Sequence, residues 1–198
     1  MDNVILSEAQ KKLLFWQCIG SKQFWVLYAM QGLSILFAYY VVNVYKLFGE
    51  GVPELDDDQY LTLVNSISAI FNALRFVWSG AIDKLPFRYI YGALLLMQIS
   101  LACSMSLTEH SKVSYMIVVC LVLFCVGGHF ALFPNIIRQI YGKQATFLYG
   151  WCFTGTGIAS LMIEVLILSR FGDDYLTMFL LTGSGSLIAF AILLTLFD

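Results

Sequence analysis

Charged residues are scarce in this chain: Asp, Glu, Lys and Arg make up 12% of its 198 residues, whereas hydrophobic residues make up 60%. A soluble domain has about 25% charged residues and is about half apolar. The composition therefore excludes an ordinary soluble domain and predicts an integral membrane protein in contact with the lipid bilayer. The net charge is −2 and no basic face is visible, so a nucleic-acid partner is not expected.

Residue sets that perform catalysis or bind metals are also missing from the sequence. There are only two histidines, and neither paired carboxylates nor a Gly-rich phosphate loop are visible. The five cysteines show no metal-ligand spacing, and four of them lie inside apolar runs, where small apolar packing is the common role. We therefore expect no enzyme, no cofactor and no metal site.

The N-terminal segment lacks the pattern of a cleaved signal peptide, and it is not an obvious transit peptide. Ser7 and Gln10 form a possible capping box. Lys11 and Lys12 then precede the apolar residues 13–16, a pattern typical of a short helix that lies at the membrane interface. The sequence predicts an N-terminal segment over residues 1–21 with an interfacial amphipathic helix, followed by a transmembrane bundle over residues 22–198.

Six apolar runs are long enough to cross a bilayer, which requires about 20 residues. Turn or charge signals such as "GEGVPELDDDQ" and "RFGDD" separate these runs. We predict an all-α membrane protein with six transmembrane helices at about 23–47, 59–82, 88–107, 113–138, 146–169 and 175–197.

The loops of this predicted bundle differ in charge. Basic residues are concentrated on the side of the N-terminus, and acidic residues dominate the opposite side. The positive-inside rule then places both termini on the cytoplasmic side or its equivalent, such as a mitochondrial matrix. The membrane itself stays open between the plasma membrane and the mitochondrial inner membrane, with the latter preferred if the chain belongs to a large complex. The basic residues on the N-terminal side are Lys11, Lys12, Lys22, Lys84, Arg88, Arg138 and Lys143.

Polar side chains recur along the second predicted span at spacings of three and four residues, which places them on one helix face. Such a face either packs on a neighbouring helix or lines a wet cavity. The arginine in this stripe favours a functional site, because a guanidinium at bilayer depth needs an anionic or otherwise polar partner. The stripe consists of Asn65, Ser68, Asn72, Arg75 and Ser79.

Glu164 in the fifth span is the obvious acidic candidate to pair with Arg75. Arg75 lies about 8 residues from the inner end of its span and Glu164 about 18, so their depths differ by about 15 Å. A direct ion pair is therefore not expected, and Glu164 is predicted to reach the outer interface or to pair with another subunit. His129 and Thr156 lie near the depth of Arg75 and are candidates to converge with it, although a packing role for His129 is the alternative.

The stretch "RFVWSGAIDKLPFR", residues 75–88, resembles the signature loop of a six-helix half in the major facilitator superfamily. Arg75, Trp78, Asp83 and Arg88 match that pattern in step, but Pro86 or Phe87 replaces a loop glycine. Further stretches resemble helices of oxalate–formate antiporter-like and monocarboxylate-type carriers, in the family's order. They are residues 21–34 (seventh helix), 127–144 (tenth) and 149–160 (eleventh).

This resemblance implies the C-terminal half, a 3+3 repeat, of a twelve-helix carrier. It also implies that Arg75 binds a substrate carboxylate, with Asn72, His129 and Thr156 as further candidates for the binding site. Asp83, Lys84 and Arg88 would belong to the cytoplasmic gating loop. Thr156 occupies the position of a lysine in oxalate-type members, which argues against dianion transport.

Two functions are compatible with this sequence. The preferred hypothesis is a non-transporting structural or accessory subunit of a larger membrane complex, because one six-helix bundle lacks the half against which such carriers rock. The alternative is a half-carrier for small monocarboxylates that works as a homodimer or with a separate N-terminal half. The expected partners are thus other membrane subunits or a second six-helix bundle, with a small carboxylate or a lipid headgroup at Arg75.

Overall fold

The computed structural model describes residues 15–168 and 174–197. Most of the predicted interfacial helix, including its capping box and the two lysines, lies outside these residues; residues 15–19 are helical. Short 3₁₀ turns, Met105–His110 and Gly142–Gln144, precede two of the helices. The α-helices are α1 (Lys22–Glu50), α2 (Asp58–Ala73), α3 (Phe76–Ile82), α4 (Phe87–Ser104), α5 (Lys112–Tyr141), α6 (Ala145–Leu168) and α7 (Tyr175–Thr195).

Four of these helices begin at a polar residue whose side chain accepts a hydrogen bond from the main chain two or three positions later. Ser21 caps α1 and Ser111 caps α5 in this way. Asp57 caps α2 and Asp174 caps α7. The two turn signals quoted above, "GEGVPELDDDQ" and "RFGDD", thus contain the helix N-caps Asp57 and Asp174.

The segment Lys112–Val165 contains two crossings, although by composition it is one apolar stretch of 54 residues. As a single helix it would be about 80 Å long, against a hydrocarbon core of about 30 Å. Gly142, at the end of α5, has a positive φ of 52°, which glycine adopts without steric cost, and the chain reverses after it. The rings of Phe130 and Phe153 then lie 5.9 Å apart, about equally far from that turn on either side, so α5 and α6 are antiparallel.

The six predicted spans correspond to α1, the α2–α3 pair, α4, α5, α6 and α7. The second span, predicted at about 59–82, covers Asp58–Ile82 in the structure and is interrupted by a turn at Leu74 and Arg75 that the sequence did not predict. The interruption divides it into α2 and the short α3.

Helix α1 occupies the middle of the bundle and packs against α4, α5, α6 and α7. The α2–α3 pair lies at the periphery and packs mainly against α5. In its apolar 18-residue stretch only 22% of the residues are buried, compared with 67% in the corresponding stretch of the α5–α6 segment. One side of the α2–α3 pair is therefore uncovered, and we refer to it as the α2–α3 face.

The two ends of the bundle carry opposite charge. At one end the Ser21 hydroxyl lies 3.1 Å from the Tyr141 hydroxyl, and the Arg88 side chain reaches Leu194. Basic residues gather at this basic end: Lys22, Lys84, Arg88, Arg138 and Lys143. The other, acidic end carries Glu50, Glu54, Asp56, Asp57, Asp58, Glu109 and Asp174. The beginning of α1 and the end of α7 share the basic end; which compartment that end faces stays a prediction.

Candidate anion site on a broken transmembrane helix

The interruption of the second span places Arg75 at a break in a helix. Around the break the main-chain hydrogen bonds shift to the tighter i→i+3 pattern. The Arg75 amide donates to the Asn72 carbonyl (3.3 Å), Val77 to Leu74 (3.0 Å) and Trp78 to Arg75 (3.1 Å). Residues 72–78 contain neither glycine nor proline, so the local sequence supplies none of the usual causes of a break.

The break lies directly against Gly127 of α5. A Cβ atom at Gly127 would be 2.6 Å from the Asn72 carbonyl oxygen and 3.1 Å from the Arg75 Cβ. One turn away, the Trp78 indole nitrogen donates a hydrogen bond of 3.1 Å to the Phe124 carbonyl. The absence of a side chain at Gly127 therefore allows the α2–α3 pair to approach α5 closely.

Arg75 itself is exposed on the α2–α3 face. Seven residues separate it from Ile82, the last residue of α3, which puts it about 10 Å from the basic end of that helix. The same pair also exposes apolar side chains, with Ile70 61% and Phe76 66% exposed. Within the described part of the chain, no side-chain hydrogen bond or ion pair involves the Arg75 guanidinium. A guanidinium in this position is available to an anion.

The other members of the polar stripe differ in exposure. Asn72 is partly exposed and shares the contact with Gly127, so it lies beside Arg75 at the break. Ser68 is buried, whereas Asn65 is exposed. Asn72 is thus the predicted site residue that the structure places next to Arg75.

His129 lies in the interior of the bundle, away from Arg75. It follows Gly127 by two residues, a rotation of about 200° around the helix axis, and so it points to the opposite side of α5. Its Nε2 lies 3.3 Å from the Gln98 Oε1, and its Nδ1 lies 3.5 Å from the Ser34 hydroxyl. His129 is 1% exposed, and its hydrogen-bonding role is the packing alternative considered from the sequence.

Thr156 is likewise buried, in the contact between α1 and α6. Its hydroxyl accepts a hydrogen bond of 3.1 Å from the Gln31 Nε2. The three candidates of similar depth therefore do not converge in this structure: Arg75 lies on the α2–α3 face, and His129 and Thr156 belong to the interior. A role for the latter two in substrate binding stays a prediction.

Glu164 is exposed on α6, beside exposed apolar residues such as Leu161 and Val165. No ion pair connects it with a described basic residue. An outer-interface or inter-subunit role for Glu164 stays a prediction.

The residues predicted for the gating loop, Asp83, Lys84 and Arg88, are exposed at the basic end. Arg88 makes a specific contact there: its Nη2 donates a hydrogen bond of 2.8 Å to the Leu194 carbonyl in the last turn of α7. A cation at a helix C-terminus satisfies orphan carbonyls and interacts well with the helix dipole. Arg88 thus fastens α4 to α7, and its part in gating stays a prediction.

A buried polar cluster in the bundle interior was not predicted from the sequence. The Tyr91 hydroxyl donates to the Ser34 hydroxyl (2.8 Å), and the Ser186 hydroxyl donates to the Gln98 Oε1 (3.3 Å). With His129 these residues join α1, α4, α5 and α7 through hydrogen bonds in the bundle interior. The available signal was weak, since each span contributes only one or two polar residues within an apolar run.

A cavity of about 460 Å³ lies at the acidic end, between the end of α1, the turn before α5 and the start of α7. Its wall combines Glu54, Glu109, His110 and Asp174 with the rings of Phe48, Tyr175 and Phe179. The Asp174 carboxylate already accepts hydrogen bonds from the Thr177 hydroxyl and amide, which lower the pKa of Asp174. This aspartate therefore acts as a helix cap.

No protein-family model matches the chain. Over 139 residues it is 27% identical to the apicoplast pyruvate carrier 1 of Toxoplasma gondii, a match that covers 69% of this chain and 25% of the relative. Over 142 residues it is 23% identical to the riboflavin transporter RibJ of Trypanosoma brucei brucei, which covers 68% and 25%. The chain thus matches about a quarter of the length of these curated relatives.

The helices and these relatives together define the class. The chain is an integral, multi-pass membrane protein of transporter-like character. Its distant relatives are a carrier and a transporter.

Proposed function

We propose that this chain forms the C-terminal half of a major facilitator-type carrier for small monocarboxylates, and that Arg75 binds the substrate carboxylate. The observation that carries this proposal is the exposed guanidinium of Arg75 at a helix break on the uncovered α2–α3 face. The similarity to a pyruvate carrier supports a carboxylate as the substrate group.

The chemistry of Arg75 favours a carboxylate. A guanidinium is planar, always charged and can hold both carboxylate oxygens at once. The neighbouring side chain of Asn72 brings an amide to the same break. Thr156, the position of a lysine in oxalate-type carriers, supplies no second positive charge, which favours substrates with a single negative charge.

The chain can act as a carrier only if another membrane segment packs against the α2–α3 face. An exposed arginine among apolar side chains is unfavourable in hydrocarbon, and alternating access requires a second bundle on the other side of the substrate site. We propose that a second six-helix bundle packs here, either a further copy of this chain or a separate N-terminal half. The basic end then faces the cytoplasm or a mitochondrial matrix, following the positive-inside rule.

A second candidate is the non-transporting subunit of a larger membrane complex. The observation that favours it is the structural use of His129 and Thr156, both buried in hydrogen bonds inside the bundle. Arg75 is then the only one of the three that can reach a ligand, and a lipid phosphate or a neighbouring subunit's acid would satisfy it.

The experiment that tests the carrier is uptake of labelled pyruvate into vesicles prepared from membranes that contain the protein with its native partners. We expect Arg75→Ala to abolish uptake and Arg75→Lys to retain a part of it, because lysine keeps the charge but not the planar fork. Arg138→Ala is the matched control, since Arg138 is exposed at the basic end. Equal uptake in wild type and Arg75→Ala would exclude Arg75 as the residue that binds the substrate carboxylate, and the proposal built on it.

The native mass of the gently extracted protein separates the two candidates. A small particle with one or two kinds of six-helix chain agrees with the carrier. A large particle with many different subunits agrees with the accessory subunit.

A further inference from the structure

We propose that Gly127 is a positioning residue for Arg75. Because it has no side chain, the main chain at the α2–α3 break packs directly against it, and this contact determines where the Arg75 guanidinium projects from the helix. The effect on anion binding rests on the proposed function; the effect on the position of residue 75 does not.

The first argument is the contact itself. A Cβ atom at position 127 would approach the Asn72 carbonyl oxygen to 2.6 Å, a distance that real Cβ atoms essentially never show. The atom it would meet belongs to the main chain, so a side-chain rotation cannot relieve the clash. The same Cβ would be 3.1 Å from the Arg75 Cβ. Any displacement at this contact therefore moves Asn72 and Arg75 first.

The second argument is the lack of a local cause for the break. Helix breaks usually follow from proline, glycine or an inserted polar group, and residues 72–78 contain no proline or glycine. The main-chain hydrogen bonds nevertheless change to the i→i+3 pattern at this point. Because no local proline or glycine accounts for the break, we attribute it to packing against α5.

The third argument is that α5 holds the pair on both sides of the break. Towards the acidic end, the Lys112 Nζ lies 3.0 Å from the Asp57 Oδ2, and the Tyr60 hydroxyl donates to the Lys112 carbonyl. On the α3 side, the Trp78 indole donates to the Phe124 carbonyl. Along the α2–α3 pair, the segment from Asn72 to Arg75 that contacts Gly127 lies between these two attachments. The closeness of this contact therefore affects the bend between α2 and α3.

The test uses the accessibility of residue 75. Arg75→Cys is introduced into a chain in which Cys18 and Cys103 are replaced by serine, and the rate of its reaction with a charged thiol reagent is measured in the native membrane. We expect Gly127→Ala to change this rate several-fold. Gly157→Ala is the matched control, because a Cβ there meets nothing within 4 Å. Equal rates in the two backgrounds would overturn the proposal.

Two further measurements separate positioning from general damage. Cys152 is fully buried, so its continued protection from the reagent shows that the Gly127→Ala chain is folded. In the wild-type chain, amide hydrogen exchange at residues 74–77 should be faster than in the middle of α2. If the amides of residues 62–79 were uniformly protected from exchange, the helix would have no break at this point and the proposal would be overturned. This result comes from the wild-type chain and does not depend on whether the alanine variant folds.

The transport measurement distinguishes this inference from the proposed function. With Arg75 intact, Gly127→Ala should raise the KM for pyruvate uptake while Vmax changes little, because a displaced guanidinium binds the carboxylate less well. If Arg75→Ala leaves uptake unchanged but Gly127→Ala alters labelling at residue 75, the carrier proposal fails and the positioning role stands.

Discussion

The side chain of Gln31 donates a hydrogen bond of 3.1 Å to the hydroxyl of Thr156, and both residues are 2% exposed. This contact joins α1 to α6 in the interior of the bundle. The Gln31 Oε1 is buried and has no hydrogen-bond partner among the described residues. Rotating the amide by 180° would exchange the two atoms but would still leave one of them unpaired. The Gln31–Thr156 pair is thus a single, isolated bond in an apolar setting.

We predict strong coupling between these two residues. Thr156→Val removes the one partner of the Gln31 amide, and leaving a buried polar group unsatisfied costs about 1–3 kcal/mol. Combining Thr156→Val with Gln31→Met removes both polar groups and should cost clearly less than the sum of the single changes. Thermal unfolding in detergent of the four chains of the double-mutant cycle measures this; additive losses would contradict it.

Ser34→Ala should destabilise the buried polar cluster. The Ser34 hydroxyl accepts from the Tyr91 hydroxyl at 2.8 Å and lies 3.5 Å from the His129 Nδ1, so its removal affects two buried partners. We expect a loss of about 1–3 kcal/mol, seen as a lower unfolding temperature. Ser66→Ala is the control, because Ser66 is exposed and bonds only to its own helix; a similar loss in both variants would argue against a special role for the cluster.

Arg88→Ala should loosen the basic end. The Arg88 Nη2 bond to the Leu194 carbonyl links the first turn of α4 to the last turn of α7. Because Arg88 is exposed, we expect a loss of only about 1 kcal/mol. Faster amide exchange at residues 190–195 is the specific readout. Arg138→Ala, another exposed arginine at the same end, should leave that exchange unchanged.

The attachment of α2 at the acidic end should weaken in acid. The Asp57 pKa is lowered, first by the hydrogen bond from the Tyr60 amide and then by the Lys112 side chain. A carboxyl whose folded pKa lies below its unfolded value stabilises the fold above that unfolded value, near pH 3.9, and this contribution is lost as the pH falls through the folded pKa. The unfolding temperatures of wild type and Asp57→Asn should therefore converge below about pH 4.

The matched control for this prediction is Asp56→Asn, in the same loop. Asp57, unlike Asp56, is the N-cap of α2. The difference between wild type and Asp56→Asn should stay small and constant over the same pH range. A wild-type advantage over Asp57→Asn that persists unchanged at pH 3 would show that the ion pair and cap charge do not contribute as described.

The sequence predicted the spans well because their cause is local. Apolar length determines which segments can cross the bilayer, and the turn signals "GEGVPELDDDQ" and "RFGDD" contain the N-cap residues Asp57 and Asp174. The charge difference between the two ends also follows directly from the loops. Differences in membrane depth could also be estimated from the sequence, since a rise of 1.5 Å per residue predicted that Arg75 and Glu164 lie too far apart in depth to form an ion pair.

The composition of the site could be predicted only in part. Arg75 and Asn72 were found by spacing on one helix face, and the structure keeps them together at the break. His129 and Thr156 were predicted to lie near the depth of Arg75, but depth does not specify which side of a helix faces which neighbour. The two-residue step from Gly127 to His129 turns the histidine away from Arg75, and only the packing of α5 shows this.

The sequence by itself determined an all-helical, multi-pass membrane protein and an arginine inside the second span, because hydrophobicity acts over a few neighbouring residues. Tertiary structure alone decided the break at Leu74 and Arg75, the burial of His129 and Thr156, and the contact of the break with Gly127. These features arise where residues far apart in the chain are in contact. Local residue patterns do not predict that the main-chain carbonyl of one helix will pack against a glycine of another.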